Sequence, residues 1–115
     1  MNRVQLKGFV GGDPEIRTLT GGGKVVSFSM ATEESWKADG EWKSRSTWHR
    51  VESFREGDVE MIGNHVKKGS LVQVEGMIRI DTFEKDGVSQ QRVKILMAAK
   101  GHSIIVVPHE KKIAA

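Results

Sequence analysis

Through most of this chain apolar side chains fall on every second position rather than at helical spacing, and their neighbours are often β-branched. Such a sequence folds into strands that bury one face. Residues 2 to 10 set Val4, Leu6 and Val10 against Arg3, Gln5 and Lys7, and residues 24 to 33 place Val26, Phe28 and Met30 on one face. Further strands are predicted over residues 47 to 54, 70 to 83 and 90 to 99, followed by an apolar patch at 104 to 107. Asp13-Pro14, the glycines 21 to 23, Asp39-Gly40 and Glu84-Lys85-Asp86-Gly87 read as turns. One stretch between the third and fourth strands has helical spacing: Asp58 is the expected cap of a short helix through Val59, Ile62 and Val66, closed by Lys67-Lys68-Gly69. The fold class expected is all-β: five strands with one helix between strands 3 and 4, the element order of an OB-fold, a small Greek-key barrel that binds oligonucleotides or oligosaccharides on one face. Other small barrels can also carry a helix, so order alone leaves the fold open.

A chain of 115 residues is the size of one domain, read here as residues 1 to 107 with a short tail at 108 to 115. It has no cysteine, no secretory leader at its N-terminus and no apolar run long enough for a membrane helix, so a soluble, cytoplasmic, nucleoid-associated protein is expected. The net charge of +3 permits a polyanionic partner without requiring one.

All three tryptophans fall between residues 36 and 48, among lysines and arginines. Trp36 and Trp42 flank the Asp39-Gly40 turn, so residues 35 to 46 are expected to project as a hairpin arm that cannot bury them in a core of its own. Alternation groups Trp48, Arg50, Glu52 and Phe54 on one face of the third strand. In the fourth it groups Gln73, Glu75, Met77, Arg79, Asp81 and Phe83, leaving Val72, Val74, Ile78 and Ile80 as the core stripe. For any single strand aromatic, burial in a core or a subunit interface is the commoner fate. Several aromatics interleaved with cations on polar faces instead suit single-stranded nucleic acid, whose bases stack on rings while Lys and Arg follow the phosphates. The expected phosphate contacts are Arg3, Lys37, Lys43, Arg45, Arg50, Arg79 and Lys85.

Six stretches carry a family resemblance: Asn2-Arg3-Val4, Gly11-Gly12-Asp13-Pro14-Glu15-Ile16-Arg17, Glu34-Ser35-Trp36, Thr47-Trp48-His49-Arg50-Val51, Val66-Lys67-Lys68-Gly69-Ser70 and Val74-Glu75-Gly76. Over residues 1 to 107 the chain resembles the bacterial-type single-stranded DNA-binding proteins. The resemblance implies an OB-fold that stacks DNA bases at Trp36, Trp48, Phe54 and Phe83, the last standing where a tryptophan is frequent. It also implies a homotetramer, with His49 at or near a subunit contact and the N-terminal strand, Val4 and Leu6, taking part. Three departures stand out. Glu52 and Asp81 put carboxylates on the expected DNA face, and Trp42 is an additional candidate stacking ring. The chain ends in PHEKKIAA rather than in the family's acidic tip, so recruitment of replication or repair enzymes through such a tip is not expected.

Other chemistries find little support. GGGK at 21 to 24 lacks phosphate-loop spacing. His49, His65, His102 and His109 have no metal-ligand spacing, and no context sets a nucleophile beside a base. Neither cofactor nor metal is expected, nor is enzymatic activity. Lys67 and Lys68 fit a solvated helix end as well as a DNA contact. The expected function is sequence-independent binding and protection of single-stranded DNA in replication, repair or recombination. The alternatives are a primosome-type dimeric OB-fold accessory protein bridging such DNA and a helicase, and an enzyme on the same scaffold.

Overall fold

The computed structural model describes residues 1–108. The strands are β1 (Val4–Val10), β2 (Glu15–Thr18), β3 (Lys24–Ala38), β4 (Glu41–Ser53), β5 (Leu71–Lys85), β6 (Val88–Met97) and β7 (Ser103–Val107). A single helix, α1 (Glu56–His65), separates β4 from β5. Five strands close into a barrel in the order β1-β3-β4-β6-β5, with β5 pairing back onto β1. Only the β4–β6 contact is parallel. Two short strands add to this frame: β2 on β3 and β7 on β5. They cover residues 15 to 18, to which the sequence pattern assigns no element, and most of the apolar patch at 104 to 107.

Two strands do more than their length in the sequence reading suggested. β3 and β4 continue as a paired ribbon from Thr32↔Thr47 to Ala38↔Glu41, so the expected arm is a direct extension of two barrel strands. β5 changes partner midway: residues 71 to 76 lie between β1 and β7, and residues 77 to 85 pair with β6 in a second projecting ribbon. Gly76 sits at this transition, where a Cβ would lie 2.8 Å from the Leu96 carbonyl oxygen. Beyond it the edge that β1 no longer covers is held by Asn2, whose amide accepts from the Ile78 N–H at 2.9 Å and donates to the Ile78 carbonyl at 2.8 Å.

The core follows the expected alternation up to this point. Val10, Val26, Phe28, Met30, Val51, Val72 and Val74 are buried, joined by Val59, Ile62 and Val66 where α1 packs on the barrel, and by Ile95 and Met97 from β6. Ile78 and Ile80 leave the stripe: they are 43% and 54% exposed, Ile78 opposite buried Ile95 at the rim of the barrel and Ile80 beyond it. Val4 and Leu6 point inward and pack against the core, and Gln5, Lys7 and Phe9 take the outward positions of β1. Asp58 is not the helix cap. Arg55 takes that position without a side-chain cap, and the Asp58 carboxylate in the first turn accepts from Ser53 Oγ at 2.7 Å and Arg55 Nε at 2.6 Å. Among the described residues no helix is long and apolar enough to cross a membrane. The expected tail lies, beyond Pro108, outside the described residues.

β1 passes from β3 to β5 through a narrow crossing: it meets β3 only at Phe9↔Ala31 and Val10↔Met30. At Gly8 an added Cβ would stand 2.0 Å from the Ala31 carbonyl oxygen. Gly8→Ala should therefore destabilise the fold by about 1–3 kcal/mol, read as a lower urea midpoint. Gly12→Ala, with nothing within 4 Å, is the control that should leave the midpoint in place.

Candidate nucleic-acid interface

The outer face of the barrel along β4, β6 and β5 gathers most of the residues singled out from the sequence. Antiparallel pairing sets Arg79 opposite Lys94, Asp81 opposite Arg92 and Phe83 opposite Gln90, all facing outward. Trp48, Arg50 and Glu52 alternate along the same side of β4, and Phe54 follows just past its end.

Trp48 is 62% exposed, with one end of its ring on Gly11. A Cβ at that glycine would stand 2.3 Å from Trp48 Cζ3 and 2.7 Å from Cη2, so one end of the indole lies against bare backbone. The Gly11 N–H is fixed to the Ser29 carbonyl at 2.9 Å, which makes the support rigid. Phe54 is also exposed. Phe83 is half-buried, with the Arg92 guanidinium 5.2 Å from its ring centre, a cation–π distance. None of these rings belongs to the core of this chain.

The β3–β4 arm does not join its two tryptophans into one surface. The register pairs Trp36 with Lys43 and Lys37 with Trp42, so the rings lie on opposite faces of the ribbon. Trp42 is on the Trp48 side. Trp36 is on the other, with Arg45 5.9 Å above its ring.

Of the cations expected to meet phosphate, Lys37, Lys43, Arg79 and Lys85 stand exposed. Arg3 does not reach this face: its guanidinium is engaged by Glu75, which also accepts from Gln5, at the β1–β5 seam. Arg50 lies on the face but is tied to Glu52 at 3.3 Å and to Ser27 Oγ at 3.3 Å. The two carboxylates expected to repel phosphate are likewise spoken for. Glu52, only 5% exposed, accepts from Lys94 Nζ at 2.9 Å, and Lys94 also binds Asp81 at 2.5 Å. Burial alone would raise the Glu52 carboxyl, yet the hydrogen bonds and charges of Lys94 and Arg50 together outweigh it and hold the group below its ordinary value. His49 hydrogen-bonds Thr32 Oγ1 at 2.8 Å, and partial burial lowers its pKa. Among the described residues no cluster of His, Cys, Asp or Glu could hold a metal ion.

Three participants were missing from the sequence reading. Arg92 and Lys94 could have been found by counting outward from the Asp86-Gly87 turn, since a two-residue hairpin fixes which residues face each other. Gly11 carried no such signal, because its partner is 37 positions away in Trp48.

A closed five-stranded barrel with one helix before the long fourth barrel strand, bearing exposed rings among cations on one side, defines an OB-fold of the ligand-binding kind. The family model of the single-strand binding protein family matches residues 1–104, and the chain belongs to that family. A single-stranded DNA-binding protein of Rickettsia prowazekii (strain Madrid E) is 35% identical over 113 residues, covering 96% of this chain and 74% of the relative. One from Rickettsia felis is 46% identical over 81 residues, covering 69% of this chain, which thus spans about half (53%) of that relative's length. The mitochondrial single-stranded DNA-binding protein of Oryctolagus cuniculus is 38% identical over 104 residues, 84% of this chain and 70% of its own. In three dimensions, the Plasmodium falciparum SSB solved in complex with ssDNA superposes with a TM-score of 0.88 at 31% identity, covering 94% of this chain and 96% of that one.

The depressed Glu52 carboxyl makes the cluster sensitive to acid. Its stabilisation is complete above the ordinary carboxyl value of 4.5 and is lost as the pH falls through the lower folded-state value. Glu52→Gln should be less stable than the native chain at neutral pH and lose less stability on acidification below about pH 4.5, as urea midpoints measured across that range would show.

Proposed function

We propose that this protein binds single-stranded DNA without reading its sequence and covers exposed strands during replication, repair and recombination. The observation that carries this reading is the Trp48 indole, largely exposed with one end of its ring against Gly11, on the same outer side of the barrel as Phe54 and the Arg79, Arg92 and Lys94 cations. A ring held that way offers a base a stacking surface already in place, and stacking is worth about 1–3 kcal/mol per base. Trp48, Phe54 and Phe83 take bases on the barrel face, with Trp42 and Trp36 on the two sides of the arm. Arg50, Arg79, Lys37, Lys43, Arg45 and Lys85 meet phosphates, whereas Arg3 serves the β1–β5 seam. The role is binding without turnover, in a protein located with the DNA of the cytoplasm, and residues 1 to 107 act as one binding unit. The relatives named as single-stranded DNA-binding proteins and the related structure holding ssDNA support this reading.

Assembly into a homotetramer fits the part of the outer surface formed by β1, β5 and β7. Across β1, β5 and β7 the register aligns Phe9, Leu71 and Val107 in one outward row and Lys7, Gln73 and Ile105 in the next. Phe9 and Ile105 are exposed apolar groups there, and Phe9 shares a row with Ala31 and Trp48, two strands from the indole on the same outer surface. Subunit contact along β1 thus falls to Phe9 and its neighbours rather than to the inward Val4 and Leu6. A tetramer mass in light scattering is expected, with Phe9→Glu shifting it toward smaller species. A stable dimer in the native chain would instead support the primosome-type reading.

Trp48→Ala and Phe83→Ala should each weaken binding of an oligothymidylate by about 1–3 kcal/mol in tryptophan-quenching titrations, with urea midpoints unchanged because neither ring is in the core. Gly11→Ala should mimic Trp48→Ala by displacing the indole. Equal affinity of the native protein for duplex DNA would overturn the reading.

A further inference from the structure

We propose that Arg79, Arg92 and Lys94 form a phosphate subsite on the Trp48 face, and that Asp81 fills it in the free protein as a tethered stand-in for phosphate, leaving Lys94 when a strand binds. The inference rests on the single-stranded DNA reading above and adds to it a defined anion site and an internal competitor.

Cross-strand register places the four residues as a block, Arg79 against Lys94 and Asp81 against Arg92, two and four positions from Phe83 along the outward face of β5. Two positions on a strand are roughly 6.7 Å, close enough for one nucleotide to stack its base at Phe83 and bring a phosphate to the Asp81 position. Lys94 is well placed to recognise an anion there. Its side chain is 13% exposed and its Nζ is steadied from below by Glu52 at 2.9 Å, so its position does not depend on Asp81. Asp81 supplies the second contact at 2.5 Å from a side chain that is 45% exposed and free to swing out. Its carboxyl is held below the ordinary value first by the Lys94 hydrogen bond and further by the charges of Arg79 and Arg92, so all three cations already address one anionic position. Arg92 is itself steadied on the Phe83 ring.

The two carboxylates therefore have different parts. Glu52 is nearly buried between Arg50 and Lys94 and stays, because stripping a buried charge of its partners is unfavourable. Asp81 holds its cation through a half-exposed pair, which water screens and a phosphate can replace one charge for one. The exchange leaves the charge around Lys94 balanced before and after binding.

Oligothymidylate titrations over a range of salt test this with Asp81→Asn, which keeps the side chain's shape. The variant should bind on the order of fivefold tighter at low salt. Its slope of log affinity against log salt should match the native one, because the same phosphates are held in both complexes. Glu84→Gln removes a carboxylate from the opposite face of the same ribbon and should give a smaller gain. Arg92→Ala, at an exposed position, should flatten the slope by about 0.7, one phosphate contact. The inference is overturned if Asp81→Asn gains no more than Glu84→Gln, if its slope steepens by about 0.7, which would mean that Lys94 never meets DNA in the native chain, or if Arg92→Ala leaves the slope unchanged. Failure of the native chain to bind oligothymidylate would overturn the underlying function instead.

Discussion

Barrel closure depends on β5 serving two sets of partners in succession. Its first six residues complete the barrel between β1 and β7, and the rest leave the barrel with β6. The change happens at Gly76, where the backbone of β6 comes too near for a side chain. A strand that stayed with β1 along its whole length would form a flat sheet edge and build no second arm. The outward residues of the second ribbon follow from this bend: it places Arg79 and Asp81 opposite the β6 cations Lys94 and Arg92, on the outer surface that β4 joins through its pairing with β6. The Asn2 amide, in place of a further residue of β1 ladder, covers the edge the bend exposes.

The face so formed is cationic, with half of its cations paired to carboxylates. Arg50 and Lys94 are paired with Glu52 and Asp81 in the free protein, while Arg79 and Arg92 stand exposed on the same side. This pairing reduces the mutual repulsion of the cations gathered there, since unpaired like charges at this spacing repel appreciably even near the surface. It also limits how strongly the face attracts polyanions in general. Rings then supply what charge does not, because stacking needs an exposed base and duplex DNA offers none along its length.

Much of this architecture was legible in the sequence where local rules govern. Period-two alternation located the barrel strands and their inward residues, and the Asp39-Gly40 and Asp86-Gly87 dipeptides marked both ribbon tips, with all four residues at positive φ as a two-residue hairpin of this type requires. Alternation failed at Ile78 and Ile80 because it reports which residues share a face and not whether anything lies against that face. Asp58 misled for a related reason: a capping residue type was present, but Arg55 and Ser53 engage its carboxylate inside the first turn. Glu52 and Asp81 were placed on the right side of their strands, yet their repulsive character vanished once Lys94, from a third strand, was in view. Tertiary neighbours, not local pattern, decide what a charge on a strand does.

The arms carry a consequence of their own. Each is paired residue by residue up to a two-residue tip, Ala38↔Glu41 in one and Lys85↔Val88 in the other. Such ribbons have no slack loop, so the conformational freedom that a floppy finger would surrender on closing over a strand was already surrendered when the chain folded. They project as continuations of barrel strands, and Trp42 and Trp48 sit on one unbroken β4 backbone, so the ring near the tip and the ring at the root keep a fixed spacing along one strand.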